Sequence, residues 1–278
     1  CFVAGAEFES TTYEVILTMR IATWNMKQVA PKKPIADRWT WMENRIDPDV
    51  VVLTEAKVPE TGPPGDWSAI WQPGGVGKTR PWGTVVASRG VDLTEITEIR
   101  RRFRSVPLQF EWPAVVHAAD VLVDHERWGT VIGLYGITLG PDGTSIGSGK
   151  YSVEILMEQL NPLLRSDRRE RLIVAGDFNL TPKGMIGLAD DFGLVDLTAS
   201  TADSRPPLDG CTGCDSGDTC GHMWTHRNTD QPGAKAQNID YILATPALAR
   251  EVTTVTGGAR DFPDAWEISD HAPVVADF

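Results

Sequence analysis

Positive charge is what this chain has least of. Its 26 lysines and arginines stand against 38 aspartates and glutamates, a formal net charge of −12. The chain as a whole therefore repels nucleic acid and anionic membrane surfaces, and a polyanionic partner requires a local basic patch or a bound divalent cation. No apolar run is long enough to span a bilayer. Cys1-Phe-Val-Ala-Gly5 lacks the basic n-region and long apolar core of a secretory signal, so the expectation is a cytoplasmic protein. A phosphate-cradling nucleotide loop is also missing. Gly74-Gly-Val-Gly-Lys-Thr79 resembles one, but Gln72 stands where its first glycine is needed and Pro81 where its helix should start.

What is present is an ordinary globular composition. Hydrophobic residues at 41% and charged residues at 23% argue against a largely disordered chain. No linker-like break divides it, so residues 19–278 read as one domain, with residues 1–18 set aside as an N-terminal extension because Met19 directly precedes a strand-like Arg20-Ile-Ala-Thr-Trp24. The ten tryptophans are expected in the core or in cleft walls.

Leu172-Ile-Val-Ala-Gly-Asp-Phe-Asn-Leu-Thr-Pro182 organises the rest. Four apolar residues have the length of a buried strand, and alternation then puts Asp177 and Asn179 on one side of its end. At the carboxyl end of a central strand that pair would face a cleft, although Gly, Asp and Asn also make ordinary turns. Arg20 to Trp24 ends likewise in Asn25, and Asp49-Val-Val-Val-Leu-Thr-Glu55 ends in a carboxylate that is either solvated or held in a site. Trp39 to Arg45 and Tyr151 to Leu164 have helical character. Ala114 to Val123 and Thr130 to Ile137 read as antiparallel neighbours, with Tyr135 near the end of the second. Asp240, flanked by apolar residues in Asn238-Ile-Asp-Tyr-Ile-Leu243, needs a partner, and Asp270-His271 suggests acid–base or metal work. Arg100, Arg101, Arg102 and Arg104 around Phe103 form either a solvated face or the positive wall of a substrate groove. A Cys-rich insertion at about 199–222 carries Cys211, Cys214, Cys220 and His222, which match the ligand set of a closed structural zinc; a disulfide pair and unpaired loop cysteines are the alternatives.

Trp24-Asn25, Leu53-Thr-Glu55, Gly176-Asp-Phe-Asn179, Asn238-Ile-Asp-Tyr241 and Ser269-Asp-His-Ala-Pro273, in this order and spacing, resemble the endonuclease/exonuclease/phosphatase superfamily. The resemblance runs from Arg20 to Phe278. It implies an α/β fold, a four-layer α/β/β/α sandwich of two packed, mainly antiparallel sheets, with the cleft at the strand ends. It also implies that Glu55 is the principal metal carboxylate with Asn25 and Asp270 beside it, that Asp177 orients or deprotonates a water, and that Asn179 holds the phosphate. His271 would contact the phosphoryl oxygen, with Asp240 fixing its tautomer. Tyr135 stands where relatives carry His or Tyr, although Gly136-Ile-Thr138 departs from the expected polar pattern.

Those roles amount to a divalent-metal-dependent phosphoesterase using Mg2+ or Mn2+. A nuclease acting on DNA or RNA is the first expectation. A phosphatase or phosphodiesterase acting on small or lipid phosphates is the second, and a catalytically silent binding module the third. If the Cys-rich segment is a zinc site, elemental analysis of protein never exposed to chelator will find about one Zn2+ per chain; none would end that reading.

Overall fold

The computed structural model describes residues 18–27, 35–73, 82–101, 103–137, 152–205, 223–227 and 236–278. The glycine-rich Gly74–Thr79 loop, Arg102 and the Cys211–His222 cluster lie outside the described residues. In chain order the first strands are β1 (Arg20–Asn25), β2 (Val50–Ala56), β3 (Ser68–Trp71), β4 (Gly83–Ser88) and β5 (Asp92–Glu95). Then come β6 (Glu98–Arg101), β7 (Arg104–Pro107), β8 (Val116–Val123), β9 (Glu126–Tyr135) and β10 (Leu172–Asp177). The last are β11 (Val195–Asp196), β12 (Asp240–Ala244), β13 (Thr254–Gly257) and β14 (Val274–Asp277). Among the described residues three helices exceed two turns: α1 (Ile35–Arg45), α2 (Ser152–Leu164) and α3 (Pro182–Phe192). Among the described residues no helix is long and apolar enough to cross a membrane.

The strands form two six-stranded sheets, ordered β13-β14-β1-β2-β4-β3 and β11-β12-β10-β9-β8-β5, with β6 and β7 as a separate hairpin. Side-chain alternation explains why their central strands are apolar throughout. In the first sheet Ile21, Val50, Val52 and Val86 face the second, where Val131, Ile173, Ala175 and Ile242 meet them. The intervening Ala22, Trp24, Val51 and Leu53 turn outward under Trp39 and Met42 of α1. On the far side Ile132, Leu134, Leu172 and Val174 lie under Val153, Leu156, Met157 and Leu160 of α2, with Met185 and Leu188 of α3. Strands buried on both faces have no polar alternation to show, and the result is the expected four layers.

Each sheet contains one parallel crossover, β1-α1-β2 in the first and β9-α2-β10 in the second. Two glycines on the second sheet make room for the packing. A Cβ on Gly133 would lie 2.8 Å from Thr84 Cγ2 and 3.0 Å from both Val52 Cγ1 and Val86 Cγ2, so the sheets meet here only because nothing is there. At Gly176 φ is +152°, and a Cβ would come within 1.7 Å of the Leu134 carbonyl oxygen. Gly133→Val should therefore lower unfolding free energy by about 1–3 kcal/mol in urea melts, the usual cost of overpacking; a change within error would show that the sheets can part freely.

Candidate active site

Six strands deliver their functional residues to one end of the sandwich, and strand direction is the reason. β1 and β2 are parallel, so Asn25 and Glu55 come at their carboxyl ends; β9 and β10 are parallel, so Tyr135 and Asp177 do the same. β12 runs antiparallel to β10 and starts where β10 stops, which sets Asp240 directly across from Asp177 in the ladder. β14 runs antiparallel to β1, so Asp270 and His271, just before it, arrive at the same end.

Local backbone irregularities then aim the side chains. The β2–β4 pairing shifts register between Leu53 and Ala56, and within that bulge Glu55 takes φ +45°. Lys27 and Asn179 have φ +45° and +51°, so three of the six non-glycine residues with positive φ among the described residues border this site. Tyr135 Oη donates to Glu55 Oε1 at 2.9 Å, its ring standing edge-on to Trp82. Asn25 Nδ2 donates to Asp177 Oδ2 at 2.9 Å, and the Asn179 N–H donates to Asp177 Oδ1 at 2.9 Å. Asn179 Nδ2 reaches the Gly136 carbonyl at 2.6 Å. His271 Nδ1 lies 2.9 Å from Asp240 Oδ2, and its Nε2 is 3.9 Å from Asp177 Oδ2. The expected catalytic and metal residues Asn25, Glu55, Tyr135, Asp177, Asn179, Asp240, Asp270 and His271 thus come together, four of them from each sheet.

The electrostatics follow from burial. Asp177, closed off from water and facing the charge of Asp240, is pushed up to about 8. Burial works against a charged His271, but the Asp240 and Asp177 carboxylates outweigh it and hold its proton up to about 10. Glu55 is raised by burial against the Tyr135 hydrogen bond and His271, with Asp270 adding repulsion. Thr225 Oγ1 accepts the backbone N–H groups of Ile239 and Asp240, which secures the start of β12. Ser269 Oγ donates to the Asn25 carbonyl and accepts from His271 N, which ties the last motif to the first strand.

Two donor sets here can hold a cation. Ligand atoms of Asp177, Asp240 and His271 lie within 4.8 Å of one another. In that set His271 Nδ1 is taken up by Asp240 Oδ2 at 2.9 Å. Glu55 and Asp270 are the other set: two oxygen donors of like charge, near enough that Asp270 raises Glu55, a repulsion that a hard cation would relieve.

Asn25 Oδ1 accepts from the Lys27 N–H at 2.9 Å, while its amide N–H side faces the Asp177 and Glu55 carboxylates. The amide is a neutral clamp between two acids. Arg100 and Arg104 do not wall this site; they line a separate cleft with Glu98, Phe103, Ser105 and Arg168. The Arg101 side chain lies outside the described residues, as does Arg102.

Sequence reasoning also missed residues. Lys27 Nζ lies 2.7 Å from Asp270 Oδ2, and His226 tilts over the His271 ring at 4.5 Å with Nε2 4.0 Å from Asp270 Oδ2. Lys27 stands just past the end of β1, outside any helix or strand. His226 belongs to no periodic segment, so only the bridge joining it to Gln237 and His271 reveals it.

Comparison with known proteins gives the class. A model of the Endonuclease/Exonuclease/phosphatase family matches residues 23–271, and the chain belongs to that family. Among solved structures, a 3'-5' exonuclease, NExo, from Neisseria meningitidis aligns at TM-score 0.56 and 20% identity over 94% of this chain and 99% of that one. An AP endonuclease from Archaeoglobus fulgidus aligns at TM-score 0.57 and 18% identity over 93% and 98%. The AP endonuclease LMAP from Leishmania major aligns at TM-score 0.63 and 14% identity over 94% and 87%. At these identities the likeness is one of fold. No curated protein matches the chain.

The electrostatic reading can be tested without any substrate. In ¹⁵N-detected imidazole spectra His271 should keep both ring protons until about pH 10. In Asp240→Asn its titration should fall by at least one pH unit, because the nearest anion is gone. An unchanged titration would remove Asp240 as the cause.

Proposed function

We propose that the chain is a divalent-metal-dependent phosphoesterase, and most specifically a nuclease that cleaves DNA or RNA phosphodiesters by attack of an activated water. The observation that carries this is the convergence of an acid–base group, Asp177, with an imidazolium, His271, and a separate oxygen donor set, Glu55 and Asp270, at one strand end. Family membership supports the phosphoester class. The DNA substrate draws support from NExo, one structure of which holds a product DNA hairpin.

In this reading Glu55 and Asp270 would hold Mg2+ or Mn2+, which would supply neutralisation of phosphoryl charge and stabilisation of the leaving alkoxide. The chain's own residues do the rest. Asp177 is held by Asn25 on one oxygen and by the Asn179 N–H on the other, and takes a proton from the attacking water. His271 presents Nε2–H to a phosphoryl oxygen as negative charge develops there. Asp240 keeps that ring oriented and charged, acting through His271 and never on the substrate. Asn179 anchors its amide on Gly136 and offers its remaining N–H to the phosphate. Tyr135 holds Glu55 in place.

The pH dependence follows by sign. Asp177 must be deprotonated, so the rate rises with pH through about 8; His271 must be protonated, so the rate falls again through about 10. A cation at Glu55 and Asp270 moves the lower limb down. Asp240 raises both groups, so Asp240→Asn should shift both limbs to lower pH and reduce kcat about 10–100-fold. An unchanged rate and profile would break the Asp240–His271 assignment.

The decisive experiment is a screen of single-stranded DNA, duplex DNA, RNA, inositol phosphates and sphingomyelin with Mg2+ or Mn2+, and with Asp177→Ala as the blank. Hydrolysis of nucleic acid should fall about 10²–10⁴-fold in Asp177→Ala and stop in excess chelator. Full turnover in chelator with no metal carried over overturns the metal dependence. Hydrolysis of inositol phosphate or sphingomyelin alone overturns the nuclease assignment while leaving the phosphoesterase.

A further inference from the structure

The β6–β7 hairpin is not used by the chemistry above. Ile99 buries its base in the core, and the pairing runs from Glu98 opposite Pro107 to Arg101 opposite Arg104. Beyond that anchor the hairpin leaves the body of the protein. Phe103 at the reversal has a relative exposure of 101%; Ile186 at 60% is the other large hydrophobic standing out among the described residues. Hairpin turns of this length favour Asn and Gly, so an exposed Phe serves neither the turn nor the core. The tip borders a cleft of about 650 Å3 lined by Glu98, Arg100, Phe103, Arg104, Ser105 and Arg168. Arg168 is neutralised there by Asp120, with contacts of 2.8 to 3.1 Å, and Glu98 accepts from Ser105 at 2.8 Å. Arg100 and Arg104 make no ion pair among the described residues, and both are exposed.

Two uncommitted guanidinium groups flanking one solvent-facing aromatic ring, on a chain of net charge −12, are complementary to a strand of alternating phosphates and bases. We infer that this hairpin is a second nucleic-acid contact, remote from the active site, at which Phe103 stacks on an unpaired base while Arg100 and Arg104 hold the neighbouring phosphates. The inference rests on the nuclease reading for its biological sense, and on the hairpin alone for its chemistry. Its position sets a length requirement. Arg168 pairs with Asp120 at the level of the first residue of β10 and Asp177 is its last, so the cleft and the active site lie about the length of that strand apart, roughly 17 Å. A strand touching both points therefore needs about five nucleotides or more at about 3.4 Å per step.

The test uses the whole chain in chelator, so that binding is read without turnover. Fluorescence anisotropy is measured over a range of salt for a labelled single strand of about 20 nucleotides and for one of about 4. The variant Arg100→Ser/Phe103→Ser/Arg104→Ser changes exposed side chains, and its melting temperature serves as the folding control. It should bind the long strand about tenfold or more weakly, and its log K against log salt plot should flatten by about 1 to 1.5. Metal-supplemented hydrolysis of the short strand should be unchanged. Arg104→Glu, tested separately, should weaken the long strand alone. Equal affinity and slope in both variants overturn the inference. So does wild-type binding to anionic lipid vesicles, with none to DNA, that the same substitutions abolish. Hairpin-dependent binding without hydrolysis of any nucleic acid would sink the nuclease reading and leave this inference standing; hydrolysis with hairpin-independent binding would do the reverse.

Discussion

Three ionisable groups, Asp177, Asp240 and His271, are buried side by side, and the arrangement holds because the imidazolium lies between the two acids. Two buried carboxylates facing each other across a ladder would each pay for lost hydration and for mutual repulsion. The histidine offsets both, and the Asn25 amide and the Asn179 N–H each give one hydrogen bond to Asp177. Removing any member leaves an unbalanced buried charge, so the group acts as a unit. The same balance keeps Asp177 and His271 far from their ordinary values, which suits a base and an acid working side by side.

That unit requires strand ends from both sheets to meet within hydrogen-bonding reach, and the core supplies the condition. The parallel pairs β1–β2 and β9–β10 point their carboxyl ends the same way, and Gly133 lets the sheets between them close on Val52, Val86 and Thr84. Gly176 allows the Leu134 carbonyl to sit against the last turn of β10, one residue before Asp177. The site is therefore precise because it stands on the ends of rigid strands, with only Lys27, Glu55 and Asn179 set by strained local backbone.

Much of this was legible one strand at a time. Leu172 to Asp177 announced itself as a buried strand ending in an acid, and Asp240 as a buried acid in need of a partner, because burial leaves a plain mark on composition. Glu55 stayed open between solvent and site, since the bulge that aims it inward is a register shift against β4 that one strand cannot reveal. Lys27 and His226 escaped notice because they reach Asp270 across long sequence separations from irregular segments. Arg100 and Arg104 were visible as basic, but their place depends on where a small hairpin packs, and the cleft they line contains none of the site residues.

The amino-acid sequence by itself determined which strands are buried, where each one stops, and which polar residue stands at each stopping point, because alternation, chain breakers and burial are properties of neighbouring residues. Only the tertiary structure decided who meets whom: that His271 bonds Asp240 and faces Asp177, that Asn25 donates to Asp177, and that Arg100 and Arg104 line a cleft with Arg168. Those facts depend on strand order, direction and register between segments far apart in the chain. They are fixed by the packing of two sheets, which no local pattern encodes.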